Sequence, residues 1–135
     1  MTYVLWFAVI LAGLTLAFWG ATYNPAKITT GAIYNGRVRF VADGDSLYLH
    51  GRKQQVRLWG VDAPERGRTG ARAATQHLTT IAQNQIIRCQ EIDTDRYGRS
   101  VARCFLSNGQ ELNRMMIESG HAREYRRFTR GFYGS

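Results

Sequence analysis

The stretch Arg37–Glu65, RVRFVADGDSLYLHGRKQQVRLWGVDAPE, decides the fold. Arg37–Ala42 and Ser46–His50 are β-rich runs joined through Asp43-Gly44-Asp45, residue types that accept the unusual backbone angles of a hairpin turn. Gly51-Arg52 makes a second turn, and Gln55–Gly60 alternates as a third strand. Beyond this meander, Gly70–Asn84 carries apolar residues at 71, 74, 78, 81 and 82. That spacing draws them onto one helical face. Gln85–Ile92 and Arg99–Leu106 are again strand-like, separated by Asp93–Gly98. Asn108-Gly109 turns the chain into a second helix near Glu111–Ser119, with Gly120 as its C-terminal stop. Three strands, a helix, two strands and a helix predict an α+β domain. Its five short antiparallel strands suit a small closed barrel of the OB type better than a parallel sheet.

At 135 residues the chain holds one domain. With 21% charged and 44% hydrophobic residues it is no disordered chain. Eighteen basic residues against ten acidic give a net charge of +8, and only Lys27 and Lys53 are lysine. The arginine fork grips phosphate bidentately, so the bias fits phosphate recognition; a GC-rich genome produces the same bias. Two cysteines are too few for a disulfide scaffold and too far apart for a CxxC zinc site.

No charged side chain precedes Lys27, and Tyr3–Trp19 reads YVLWFAVILAGLTLAFW. A helix of roughly 20 residues crosses the hydrocarbon core, so residues 1–23 are expected to form a transmembrane helix or signal anchor. Tyr3 and Trp19 fall where aromatic belts sit. A cleaved signal is the rival, but it lacks a basic leading region, and bulky Trp19 stands near the only small-residue exit. Residues 24–33 read as a linker and 34–135 as the soluble domain.

Four of the ten acidic residues, Asp43, Asp45, Asp62 and Glu65, fall at a turn or in the VDAPE loop. Clustered carboxylates repel unless neutralised. A hard cation such as Ca²⁺ neutralises them with oxygen ligands at about 2.3–2.6 Å. On spacing alone the plainer reading leads: DGD is merely a hairpin turn and Pro64-Glu65 a loop-to-helix cap. Arg57 lies within a strand, where a charge needs a partner. Arg99 closes the D-R-Y-G-R turn beside Tyr97. Two arginines, a carboxylate base and an acidic metal pocket are the parts of a phosphodiester hydrolase.

VADGDSLYL, VRLWGVDAPE, DTDRYGRSVA and ELNRMMIESGHA, in that order, resemble the staphylococcal nuclease (thermonuclease) family over about Arg37 to Tyr125. The resemblance implies an OB-fold, calcium-dependent nuclease of DNA and RNA that cleaves the 5′ P–O bond and leaves 3′-phosphates. It places the metal carboxylates on Asp45 and Asp62 and a backbone-carbonyl ligand on Ala63. It places the general base on Glu65 and the transition-state arginines on Arg57 and Arg99. Asp43 matches a neighbouring acidic position, and Arg96 and Tyr97 match residues that line the nucleotide pocket. The chain departs from the family at its C-terminus: after Arg130 it ends in GFYGS, so the family's third helix is expected to be missing or a stub. The rival reading is a non-catalytic, membrane-anchored OB module that binds nucleic acid.

HAREYRRFTRGFY interleaves arginines with Tyr125, Phe128 and Tyr133, as strand-binding surfaces do, with Tyr125 a candidate substrate contact. An anionic-lipid patch is the alternative. His50, His77 and His121 show no metal spacing and read as structural or surface residues. Cys89 and Cys104 flank the Asp93–Gly98 turn and are either a disulfide or two buried thiols. Lys27, Arg37 and Arg39 after the apolar run favour a cytoplasmic domain, whereas the cysteine pair and the danger of a nuclease to its own genome favour export. Export, anchored or secreted, is the expectation.

Overall fold

The computed structural model describes residues 31–135. The expected membrane segment and most of the linker lie outside the described residues. Among the described residues no helix is long and apolar enough to cross a membrane.

The chain forms β1 (Ile33–Asp43), β2 (Ser46–Leu49), β3 (Val56–Leu58), β4 (Val61–Asp62), α1 (Ala71–Ala82), β5 (Ile86–Thr94), β6 (Ser100–Leu106), α2 (Leu112–Glu118), β7 (Arg123–Glu124) and α3 (Arg126–Thr129). Strands β1-β2-β3-β6-β5 close into a barrel, and β4 pairs with β7 as a separate two-stranded sheet. The barrel is not wholly antiparallel as expected: β3 runs parallel to β6. Parity requires one such pair. Around a closed ring of five strands, directions cannot alternate at every step, so one neighbouring pair must agree. The seam falls between β3 and β6, which are joined through β4, α1 and β5 and not by a hairpin.

Alternation along the strands fills the barrel. Val38, Leu47, Leu49, Val56, Leu58, Ile87, Ala102 and the two cysteines point inward and are buried. Helix α1 closes one end with Ala74, Leu78 and Ala82, each four residues apart and each fully buried. Leu112, Asn113, Met116 and Ile117 are the buried face of α2. Asn113 makes the junction specific. Its Oδ1 accepts the Cys104 N–H at 3.0 Å, and its Nδ2 donates to the Trp59 and Ala102 carbonyls at 2.9 and 3.1 Å. Both β6 and the loop after β3 are thereby pinned to α2.

The expectation of two helices is corrected to three, the last being a four-residue stub. Arg126–Thr129 forms one turn that ends at Arg130 in the left-handed region (φ 51°). Too short to stand by propensity, it is held by its surroundings. Phe132 and Tyr133 pack on Trp59 with ring centroids 5.5 and 5.9 Å apart. The Tyr133 hydroxyl donates to Glu111 Oε1, whose other oxygen meets Arg103 Nη2 at 2.5 Å.

Cys89 faces Cys104 directly across β5 and β6, with Cα atoms 4.1 Å apart, and the two form a disulfide. The bond closes the loop that carries the Asp95–Arg99 turn. Its reduction is expected to cost roughly 3 kcal/mol of unfolding free energy, the chain-entropy value for a loop of about 15 residues. Urea denaturation with and without reductant measures the difference, and unchanged midpoints would show the bond to be energetically idle.

Candidate active site

The site begins at the β1–β2 turn. Gly44 is obligatory there for lack of space, since a Cβ would lie 2.6 Å from the Ala74 Cβ and 2.7 Å from the Ala63 Cβ. The hairpin, α1 and the VDAPE loop therefore meet at one point, and the acidic residues beside Gly44 are fixed against that loop. Asp43 Oδ1 accepts from the Asp45 N–H at 3.1 Å and the Ser46 hydroxyl at 2.7 Å.

Asp45 is buried. Its Oδ2 accepts the Ala63 N–H at 3.0 Å and meets Arg57 Nη2 at 3.2 Å. The partner that Arg57 needs is thus Asp45, and a second guanidinium nitrogen donates to the Leu58 carbonyl at 2.7 Å. Burial pushes the Asp45 carboxyl up to about 7; Arg57 opposes this, and the adjacent Asp43 adds to it. For Asp43, burial also pushes upward, but the donors from Asp45 and Ser46 prevail and hold it below the usual carboxylate range. Two acidic groups thus share a buried place with one guanidinium.

Two clefts carry further candidate residues. One, of about 580 Å³, is lined by Asp62, Glu65, Arg68, Thr69, His121 and Arg123 among others. Asp62 and Glu65 are exposed there. The other, of about 520 Å³, is lined by Tyr48, Lys53, Gln54, Tyr97 and Arg99. Arg99 is set by Asp95: Nε donates to Asp95 Oδ2 at 2.6 Å, while Asp95 Oδ1 accepts the N–H groups of Tyr97 and Arg99, each at 3.0 Å. Despite the opposing effect of burial, these donors and the Arg99 charge hold Asp95 below its ordinary value. Tyr97 stands out from the turn at 69% exposure, with the Arg96 and Arg99 guanidiniums 4.9 and 5.4 Å from its ring centre.

Asp45, Arg57 and Ala63 are therefore in direct contact. Glu65 and Asp62 share one cleft; Arg99 and Tyr97 share the other. No described hydrogen bond or ion pair joins Glu65 or Arg99 to the Asp45–Arg57 pair. Arg96 and Tyr125 line neither cleft; Arg96 donates to the Tyr97 hydroxyl, and Tyr125 packs edge-on against Phe128. Among the described residues no group of three or more acidic, histidine or cysteine side chains is gathered tightly enough to hold a metal. The donor chemistry nevertheless fits a hard cation. Asp45 is an oxygen donor buried beside a second carboxyl and faced by one guanidinium, and a divalent ion supplies further positive charge to such a pair.

Asp95, Glu124 and Arg68 were not singled out by the sequence reading, and Arg123 entered it only as one of the arginines of HAREYRRFTRGFY. Asp95 had a readable signal, since an Asp four residues before an Arg across a glycine turn can satisfy both the turn and the guanidinium. Arg68 had no signal, and that of Arg123 pointed to a strand-binding surface and not to the Glu65 cleft. Only the pairing of β4 with β7, which sets Asp62 opposite Arg123, brings them to one cleft.

A closed, OB-like α+β barrel with an acid–arginine centre at its first hairpin defines a small class of domains. The family model described as "Staphylococcal nuclease homologue" matches residues 55–133, more than half of the chain, and the chain belongs to that family. It is 36% identical over 106 residues, 70% of the chain, to the succinoglycan biosynthesis protein ExoI of Rhizobium meliloti (strain 1021). It is 31% identical over 105 residues, again 70%, to a micrococcal nuclease of Shigella flexneri. An uncharacterized endonuclease of Escherichia coli O157:H7 is 29% identical over 97 residues, also 70% of the chain. The chain spans 54%, 60% and 63% of the lengths of these relatives, less than two thirds in each case.

Proposed function

We propose that the protein is a calcium-dependent endonuclease that hydrolyses phosphodiester bonds of DNA, RNA or both. The observation that carries this is the buried Asp45–Arg57 pair bonded to Ala63, two residues from Glu65, whose side chain has no hydrogen-bond or ion-pair partner among the described residues. A module that only binds nucleic acid has use for arginines but none for a free carboxylate beside phosphates. The names of the Shigella and Escherichia relatives support the same activity.

In this reading Glu65 takes a proton from water as its oxygen attacks phosphorus. The bond to the 5′ oxygen breaks, that oxygen is protonated from solvent, and a 3′-phosphate remains. Arg57 and Arg99 meet the negative charge that grows on the phosphoryl oxygens. Tyr97, flanked by two guanidiniums, offers a face for a base, with Arg96 beside it. Asp45, Asp62 and the Ala63 carbonyl would hold Ca²⁺, which when bound adds positive charge at the phosphate and acidifies water.

The disulfide supports an oxidising compartment, and the apolar run in residues 1–23 supports retention at a membrane with the domain exported. Incubating supercoiled plasmid with the protein is expected to give nicked and linear DNA in millimolar Ca²⁺ and none in chelator. Plasmid that is shifted on a gel but never cut under any divalent ion would replace the enzyme with a binding module.

A further inference from the structure

Arg68, Arg123 and His121 line the same cleft as Glu65, and no described ion pair engages either arginine. The ion pairs of the described residues engage Arg57, Arg99, Arg103 and Arg114, leaving Arg68 and Arg123 without a carboxylate partner among them. The His121 ring lies flat on His77, centroids 4.1 Å apart and planes 7° apart, which fixes it against α1. Its Nδ1 is engaged with the Ser119 hydroxyl at 2.9 Å. Its Nε2 has no partner among the described hydrogen bonds.

The two clefts differ in chemistry. The Arg99 cleft has aromatic walls in Tyr48 and Tyr97, surfaces on which a base stacks. The Glu65 cleft has no phenyl, phenol or indole wall; its apolar part is Pro64, Ala73 and Ala122. Guanidinium forks and an imidazole without stacking faces suit a phosphate better than a base. We infer that this second cleft is a subsite for the internucleotide phosphate adjoining the one cleaved, held by Arg68, Arg123 and His121. The substrate is then a strand that continues on both sides of the scissile bond, its base resting on the Tyr97 side and its backbone on the Arg68 side. This rests on the nuclease reading above.

The test uses single-stranded DNA oligonucleotides and, as a probe too small to reach the subsite, bis(4-nitrophenyl) phosphate. Arg68→Ala/Arg123→Ala is expected to raise KM for the oligonucleotide roughly 10- to 100-fold, the worth of one or two charged hydrogen bonds. On the small diester its loss is expected to stay within about threefold, which also reports an intact fold. Arg68→Lys/Arg123→Lys keeps the charge and recovers most of the oligonucleotide KM. A neutral methylphosphonate placed one linkage from the scissile bond weakens the wild type by a similar factor and leaves the double Ala variant nearly indifferent. An unchanged oligonucleotide KM in the Ala variant, or a methylphosphonate penalty of equal size in both proteins, overturns the subsite while the nuclease reading stands. Failure of the wild type to cleave either substrate with any divalent ion overturns both.

Discussion

Replacing Glu65 with Gln is expected to lower phosphodiester hydrolysis by about 10²–10⁴-fold, the range over which a positioned general base acts. Glu65 is the cleanest of the proposed catalytic positions to test. Its side chain makes no described hydrogen bond or ion pair, so the amide keeps shape and polarity and disturbs nothing structural. Arg57→Ala is less clean, because it also strips the buried Asp45 of its one guanidinium and leaves a carboxyl unpaired. Oligonucleotide affinity in Glu65→Gln should stay near wild type, since arginines supply most of the attraction to a phosphate backbone. Single-turnover cleavage in saturating Ca²⁺, paired with a binding titration, separates the two. Wild-type cleavage by Glu65→Gln would remove the base from the mechanism.

How far such a site can be read from sequence depends on whether its parts are local. The β1–β2 hairpin was legible because Asp43-Gly44-Asp45 sits between two runs of strand-forming residues. The buried face of α1 was legible because Ala74, Leu78 and Ala82 repeat at one helical turn. Arg57 among packing residues announced a partner but not its identity. Asp45 is found only when β2 and β3 align, setting Ser46 opposite Arg57. Strands β4 and β7 have two residues each, too short to show any period. Their pairing nevertheless places the Asp62 loop against the tail. Helix α3 shows no period of its own for a similar reason: four residues carry no helical repeat, and the segment is held by Glu124 just before it and by the packing of Phe132 and Tyr133 on the distant Trp59. The parallel β3–β6 seam follows from ring parity, a property of the closed barrel and not of either strand.

Glu124 is expected to be the keystone of that tail, and its contribution should vanish in acid. The side chain is buried. One carboxylate oxygen accepts the Thr129 hydroxyl at 2.5 Å and the Tyr133 N–H at 2.9 Å; the other accepts the Ser135 N–H and hydroxyl at 3.0 and 2.8 Å. Burial alone would push the carboxyl up, but these four donors outweigh it and hold Glu124 at about 2, against an ordinary 4.5. A carboxyl whose pKa is lower in the folded chain than in the unfolded one adds stability that is complete above pH 4.5 and disappears as pH falls through 2. Glu124→Gln should therefore destabilise the domain by about 3 kcal/mol at pH 7, and by less than half of that at pH 3. The comparison with wild type at each pH cancels the titration of Asp43, Asp45 and Asp95, which both proteins share. The loss should spread toward the site, because the Tyr125 N–H donates to the Gly60 carbonyl at 2.7 Å and β7 pairs with β4. Gly60 itself has no room to adjust, since a Cβ there would lie 2.3 Å from Thr129. Urea denaturation of both proteins at pH 7 and pH 3 measures the difference. A gap of equal size at both pH values would mean that Glu124 acts through packing and not through its charge.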